Sequence, residues 1–408
     1  MRILHTSDWH LGRSLEGRNR LDEQQQFIAE IADIAHREKV DLILIAGDIF
    51  DTANPSAAAE QLFYQAIYDL AAGGSRGVVA IAGNHDSPER VRASDPLAEQ
   101  LGITLLGLPK DQPFISSGSR ERVKRLSVGS GWLELAVPGC DHSAVVVTLP
   151  YPSEQRLKEI LVDKLNEEEM QKSYSERVGA FFKDATQNYR RDTVNLCMSH
   201  LFVIGGSESE SERPIQLGGA CTVEPVMLPA TAQYTALGHL HRPQRVAKWE
   251  HVRYSGSPLS YSFSEAGQTK AVYIVDCQPG QQARVQEIPL TSGCPLVKWK
   301  ADQGLNQVLK WCEENRDPNA WIDLTIHVPK PLQAEEIKML RELRPKLINI
   351  RPVLPEMARA MDLTGRESLP VDDLFRQFYQ RQNQAEPKEE LVQLFLELIQ
   401  AEREGEDA

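Results

Sequence analysis

Short apolar runs bounded by polar breaks recur along the first three hundred residues, and each reads as a strand. Residues 2–6, 41–46, 78–82 and 103–106 form the first group. The third, Val78 to Ala82, is apolar throughout, as in strands covered on both faces. Between the runs lie stretches with helical spacing. Phe27, Ile28, Ile31, Ile34 and Ala35 mark a helix ending near Lys39, and residues 56–72, preceded by Pro55, mark a second. A short helix is expected around 95–100. This alternation predicts an α/β body with a mostly parallel sheet and helices on its faces.

The rhythm breaks between Pro109 and Pro150, where residues 132–137 and 144–149 read as antiparallel strands after a Ser- and Gly-rich loop. Residues 153–190 are charged and helical. Strands are expected again at 193–198, 234–237, 252–254 and 271–276, and the repeated Ser-Glu of 207–212 reads as an exposed polar loop. Composition shifts near 278–280, which predicts a boundary there. Residues 296–300, 306–314, 321–328, 334–343 and 347–353 then alternate strand, helix, strand, helix, strand, a small α/β domain within 279–353. From 354 to 408 the chain is a linker and helical tail with two apolar stripes. Val371, Leu374, Phe375, Phe378 and Tyr379 form one; Leu391, Val392, Leu394, Phe395, Leu398 and Ile399 form the other. Two short amphipathic helices bury such stripes poorly alone, so a partner surface is one expectation and packing on the body the other.

At 408 residues the chain exceeds what one core usually holds, roughly 250–300 residues, which agrees with more than one domain. Its net charge of −13 gives no whole-chain support for binding a polyanion, so any such site must be local, metal-assisted or completed by a partner. The six cysteines are scattered without a C-x-x-C pair and read as reduced thiols. The first residues lack the apolar segment of a secretory signal, and no apolar run approaches the ~20 residues that cross a bilayer. A cytoplasmic protein is expected.

The chemistry gathers at the ends of the strands. Asp8 and His10 follow the first run, Asp48 the second, and Asn84, His85 and Asp86 the third. His200 follows the strand at 193–198, and His239 and His241 follow the one at 234–237. Five of the ten histidines fall in this ordered set, which makes chance placement a poor explanation. Asp8 and His10, like His239 and His241, are two apart and are expected to point the same way if the strand continues. The glycines before Asp48, Asn84 and His239 are expected to let the backbone turn sharply. Carboxylate, imidazole and amide donors without thiolate favour Mn²⁺, Fe²⁺, Mg²⁺ or Zn²⁺. There are too many for one ion and about enough for two, and two ions ~3.5–4 Å apart clamp an in-line phosphoryl displacement.

Ser7-Asp8-Trp9-His10-Leu11-Gly12, Gly47-Asp48-Ile49-Phe50-Asp51, Gly83-Asn84-His85-Asp86-Ser87 and Tyr254-Ser255-Gly256-Ser257-Pro258 resemble the calcineurin-like metallophosphoesterases, and among them the bacterial Mre-type nuclease subunits, along the whole chain. The resemblance implies a sandwich of mixed sheets flanked by helices, a capping second domain and a partner-binding helical tail. It implies one metal held by Asp8, His10, Asp48 and His241, and a second held by Asp48, Asn84, His200 and His239, with Asp48 bridging. His85 would face the scissile phosphate as general acid or transition-state stabiliser. Asp86 would help orient it or, equally, cap the next helix. Some relatives carry a histidine shortly after the bridging aspartate; here Ile49-Phe50-Asp51 stands instead, and Asp51 is left out of the site.

The resemblance further implies a Mn²⁺-dependent double-strand DNA exonuclease and single-strand or hairpin endonuclease, with two Mn²⁺ per chain. It would act with an SMC-like ATPase in DNA replication, repair and recombination, as a homodimer within a heterotetramer. Val371, Leu374, Phe375, Phe378, Leu391, Leu394, Phe395 and Leu398 would meet the ATPase. Arg13, Arg18, Arg90 and Arg92 are candidate DNA phosphate contacts, as are Arg120, Arg122, Lys124 and Arg125, whose loop reads otherwise as a surface hairpin. The alternatives are a phosphoesterase for small substrates or cyclic nucleotides and a non-catalytic scaffold that binds DNA ends.

Overall fold

The computed structural model describes residues 1–116, 121–153, 155–157, 173–212, 221–246, 249–354, 375–376, 379, 387, 391–393 and 395. It divides into two compact units. Met1–Trp299, Asn315–Asp323 and Pro345–Asn349 make the first; Lys300–Glu314, Leu324–Arg344 and Ile350–Ala408 make the second.

The first unit opens with β1 (Arg2–Thr6), α1 (Leu21–Arg37), β2 (Leu42–Ala46), α2 (Ala57–Leu70), β3 (Gly77–Ile81), α3 (Pro88–Ala93), α4 (Asp95–Ala98) and β4 (Ile103–Leu106). It continues with β5 (Lys124–Gly129), β6 (Trp132–Ala136), β7 (Ala144–Leu149), α5 (Tyr174–Ala185), β8 (Val194–His200), β9 (Phe202–Val203) and β10 (Thr222–Val223). It closes with β11 (Tyr234–Gly238), β12 (Gln244–Val246), β13 (Trp249–Tyr254), β14 (Ala271–Asp276) and β15 (Arg284–Pro289).

Two mixed sheets result. The first runs β15-β14-β1-β2-β3-β4 and the second β12-β13-β11-β8-β7-β6-β5. β1 to β4 are parallel, as expected of strands joined by helices, while β14 and β15 add antiparallel at one edge. In the second sheet β7, β8, β11 and β13 are parallel, and β5 and β6 extend it antiparallel.

Side-chain alternation along each strand decides the layers. Ile3, Leu42, Leu44 and Val79 face Val146, Leu196 and Ala236 in one core between the sheets. The intervening residues Leu4, Ile43, Ile45 and Val78 turn outward under Phe27 and Ile31 of α1 and Phe63 and Ile67 of α2. On the far side Val147, Cys197 and Leu237 pack with Val178 and Phe182 of α5. The first unit is therefore a helix–sheet–sheet–helix sandwich, the expected fold class.

The Ser- and Gly-rich loop before β6 ends in β5, and the two strands pair as an antiparallel hairpin. One expectation changes. The chain past Gly280 returns as β15 beside β14, so the first sheet continues beyond the boundary expected at 278–280. Farther on, β16 (Leu296–Ala301), α6 (Leu305–Glu313), β17 (Trp321–His327), α7 (Ala334–Leu343) and β18 (Leu347–Val353) follow the expected order, and their strands pair β16-β17-β18. Among the described residues no helix is long and apolar enough to cross a membrane.

Candidate metal centre

All the strand-end residues singled out in the sequence except Asp86 arrive at one place. β1, β2 and β3 of the first sheet deliver Asp8, His10, Asp48, Asn84 and His85; β8 and β11 of the second deliver His200, His239 and His241. The convergence does not come from strand alternation. Asp8, His10 and Asp48 have left-handed backbones (φ 53°, 45° and 49°), and His239 has φ 111°. Non-glycine residues adopt such conformations at a cost of roughly 1–3 kcal/mol each and keep them only where surroundings enforce them. Here the enforcement is a backbone ladder between loops: Asp8 N donates to Gly47 O, His10 N to Asp48 O, and Leu11 N to Ile49 O, each at 2.9–3.0 Å.

The glycines also do more than turn the chain. A Cβ on Gly83 would stand 2.1 Å from Asp48 Oδ1, and one on Gly47 would stand 2.3 Å from His200 Nδ1. Gly47 is left-handed as well (φ 90°), whereas Gly83 is required by close approach alone.

Asp48 divides its carboxylate between two duties. Oδ1 accepts from His85 N at 2.9 Å, and Oδ2 lies 3.6 Å from His10 Nε2 and 3.4 Å from His200 Nε2. His200 donates from Nδ1 to Ala46 O (2.9 Å), which leaves Nε2 facing Asn84 Oδ1 (2.9 Å). His239 Nδ1 approaches the same Asn84 oxygen at 3.3 Å. On the other side His10 Nε2 and His241 Nε2 are 3.0 Å apart, and Asp8 accepts from Ser7 Oγ (2.5 Å) and His239 N (2.9 Å). Asp8, His10 and His241 form one group of donor atoms within 4.8 Å of one another, Asp8, Asp48 and His200 form a second, and His10, Asp51 and His85 form a third at its edge. Asn84 Nδ2 and His10 Nδ1 are buried without hydrogen-bond partners. A buried cluster so rich in oxygen and imidazole donors fits divalent cations, and the two groups that share Asp8 fit two of them.

Burial pushes Asp8 up to about 6 against the pull of His200 and His241. Burial would raise Asp48 too, but the charge of His200 beside it holds Asp48 well below the usual carboxylate range. In return Asp48 overrides the burial of His200 and lifts it to about 9. Burial holds His10 and His239 well below the usual imidazole value. Without cations, then, a proton on His200 balances Asp48.

The ring of His85 stands 4.8 Å from that of His10. Its Nδ1 donates to the carbonyl of Asp51 at 2.7 Å, and its Nε2 has no protein partner. The hydrogen bonds of Asp86 go elsewhere than to that ring. It accepts from Gly83 N (2.8 Å), Phe50 N (2.9 Å) and Ile49 N (3.0 Å), tying the third loop to the second. Nor does it cap α3, which Ser87 caps. Both expected roles of Asp86 are thus replaced by a loop-joining one. Asp51, left out on sequence grounds, supplies the carbonyl that orients His85 and a carboxylate oxygen 3.7 Å from His10 Nδ1.

Sequence reasoning missed the groups behind His241. Ser211 Oγ lies 2.5 Å from His241 Nδ1 and donates to Glu265 Oε1 at 2.5 Å; Glu265 is paired with Lys270. All four side chains are buried. The Ser-Glu repeat of 207–212 reads as solvated because nothing local marks Ser211 as 3% exposed.

The basic candidates separate. Arg13 is at the site, with Nη2 donating to Ser211 O (2.7 Å) and its guanidinium 5.2 Å from the Tyr261 ring centre. Arg18 is exposed. Arg90 is held by Glu60 and Asn54, Arg92 by Asp111, and Arg122 by the carbonyl of Gln100. Lys124 lies half-buried on β5. Arg125 is a correction. It is 2% exposed and bonds Asp95 through both terminal nitrogens, so its guanidinium is a structural cation rather than a phosphate contact. Arg120 lies outside the described residues.

Comparison with known proteins agrees with this geometry. Residues 1–243 match the model of the calcineurin-like phosphoesterases, and residues 294–383 match that of the type 5 capsule protein repressor C-terminal domain. The chain is 46% identical to the SbcD subunit of nuclease SbcCD from Bacillus subtilis over 100% of both chains. It is 29% identical to the Escherichia coli K12 protein of that name over 92% of each, and 33% identical to the Rhodobacter capsulatus one over 74% of this chain and 72% of that one. Two solved structures, TT1561 of Thermus thermophilus and a dimetal phosphatase from Danio rerio, align at a TM-score of 0.35 with 12% and 13% identity. They cover 70% and 72% of this chain and 98% and 99% of their own. The chain belongs to the calcineurin-like phosphoesterases, metal-dependent enzymes, and within them to the family of SbcD subunits of nuclease SbcCD.

Proposed function

We propose that this chain is a Mn²⁺-dependent DNA nuclease that degrades double-stranded ends, opens single-stranded and hairpin DNA, and works with an SbcC-type ATPase in DNA replication, repair and recombination. The observation that carries this reading is Asp48 Oδ2 standing between His10 and His200, a shared carboxylate at the meeting of two sheets. In this reading Asp8, His10, Asp48 and His241 hold one ion, and Asp48, Asn84, His200 and His239 hold the other. When bound, the ions would supply Lewis-acid activation of a water and neutralise charge on the phosphate.

The chain's own residues set the rest. Asp51 O fixes the proton of His85 on Nδ1, so the neutral ring presents a bare Nε2. In this reading His85 faces the scissile phosphate as general acid or transition-state stabiliser, worth ~10²–10⁴-fold in rate if it protonates the leaving oxygen. Asp86 keeps the second and third loops in register. Arg13, braced on Ser211 and Tyr261, is the best-placed phosphate contact among the basic candidates.

The accessory segment 279–353 is read as a DNA-binding cap. Phe375 and Phe395 stack at 4.1 Å between ring centres, which supports a tail whose two stripes meet each other before meeting a partner helix. Leu391 neighbours this pair in sequence and is half-buried. Val371, Leu374, Phe378, Leu394 and Leu398 lie outside the described residues. A homodimer within a heterotetramer belongs to the same reading, as does a cytoplasmic location, which suits six free cysteines.

The test is to incubate the protein with Mn²⁺ and hairpin DNA, and separately with an aryl phosphate. Nicked hairpins are expected. Turnover of the aryl ester with intact DNA would overturn the reading in favour of a small-substrate phosphoesterase.

A further inference from the structure

We infer that Ser211 and Glu265, with Lys270 behind them, are positioning residues that fix the tautomer of His241. The inference rests on the reading of His241 as a metal ligand and adds the device that makes it one. Glu265 is fully buried, and it accepts from the ammonium of Lys270 and from the backbone N–H groups of Tyr261 (3.1 Å) and Ser262 (3.1 Å). A carboxylate surrounded by donors only accepts. The single hydrogen of Ser211 must therefore lie on the 2.5 Å line to Glu265 Oε1.

With that hydrogen committed, Ser211 Oγ can only accept along its second short contact, 2.5 Å from His241 Nδ1. Nδ1 thus carries the ring proton, and Nε2, the atom facing His10, keeps its lone pair. Ser209 Oγ, 2.8 Å from Ser211 Oγ, is compatible, since it can donate to the remaining lone pair or to Glu212 Oε2 at 2.7 Å. Lys270 serves both ends, because Nζ also donates to His241 O at 2.9 Å. Glu212 Oε1 accepts from His241 N at 2.8 Å, so the Ser-Glu segment grips the backbone and the ring of one histidine. An ordinary surface loop has no reason to bury a serine between an imidazole and an ion pair.

Groups behind a metal-bound histidine typically change metal affinity by ~10–100-fold when removed. The experiment is Mn²⁺ titration of the full chain by calorimetry, with ¹⁵N spectra of histidine-labelled metal-free protein, for wild type, Ser211→Ala, Ser211→Thr and His241→Asn. Ser211→Ala is expected to weaken binding of one ion by ~10–100-fold and to mix the His241 tautomers, and Ser211→Thr to restore both. Glu265→Gln combined with Lys270→Met, which removes the buried pair together, is expected to reproduce the Ser211→Ala spectrum. If His241→Asn weakens Mn²⁺ binding while Ser211→Ala leaves both affinity and tautomer unchanged, the positioning role is overturned and the metal site stands. If His241→Asn itself binds Mn²⁺ as wild type does, the metal-ligand reading falls.

Discussion

His200 Nε2 lies 3.4 Å from Asp48 Oδ2, although one residue ends a strand of the second sheet and the other follows a strand of the first. The pair joins the two halves of the sandwich at their carboxyl edges. A carboxylate shared in this way is the element a two-ion centre cannot lose. Asp48→Asn keeps the shape and removes the charge; it is expected to lower Mn²⁺ occupancy and to reduce cleavage by at least ~10²-fold. Metal analysis of the purified variant checks this, and two tightly held ions would contradict it.

His85 is the residue whose replacement is expected to separate chemistry from metal binding. Its Nε2 has no protein partner and its Nδ1 is spent on Asp51 O. His85→Gln should reduce hairpin cleavage by ~10²–10⁴-fold while Mn²⁺ stoichiometry stays at the wild-type value. Equal rates for variant and wild type would remove His85 from the mechanism.

Acid should empty the centre. His200 is lifted to about 9 and Asp8 to about 6, so both hold protons more tightly than usual in the metal-free chain. A cation binds only the deprotonated groups and must expel those protons. Affinity is therefore expected to rise with pH, first through the range where Asp8 ionises and then toward that of His200, and to fall on acidification. Calorimetry near neutral pH in two buffers of different ionisation enthalpy should detect proton release on Mn²⁺ binding. A pH-independent affinity would mean that neither group meets the metal.

Gly83 is required by space. The Cβ of Gly83→Ala would stand 2.1 Å from Asp48 Oδ1 and 2.3 Å from Asp48 N, so the second loop must shift. Overpacking of this kind costs ~1–3 kcal/mol. The variant should melt earlier and lose Mn²⁺ affinity together, and an unchanged melting curve would contradict the close approach.

Arg125 offers the opposite contrast. Removing a buried cation that pairs with Asp95 at 2.6 Å should cost ~3–5 kcal/mol of stability. DNA affinity of the folded fraction of Arg125→Ala should match wild type, and a selective loss of DNA binding would return Arg125 to the surface it was first assigned.

Much of this protein is written locally. The apolar runs at β1, β2 and β3 determine their strands because such residues gain most by burial on both faces, and the ordered Asp, His and Asn residues at the strand ends mark the metal chemistry. Three things were decided only by tertiary structure. Asp8, His10, Asp48 and His239 take positive φ because loops from neighbouring strands lock them there, a strain no local propensity predicts. Arg125 became a core cation and Ser211 a buried relay because a distant carboxylate, Asp95 or Glu265, was waiting for each. Asp86 and Asp51 changed places in importance because hydrogen bonds follow distance in space and not adjacency in sequence. A side chain's type states which bonds it can make; only the fold brings the partner within 3 Å of it.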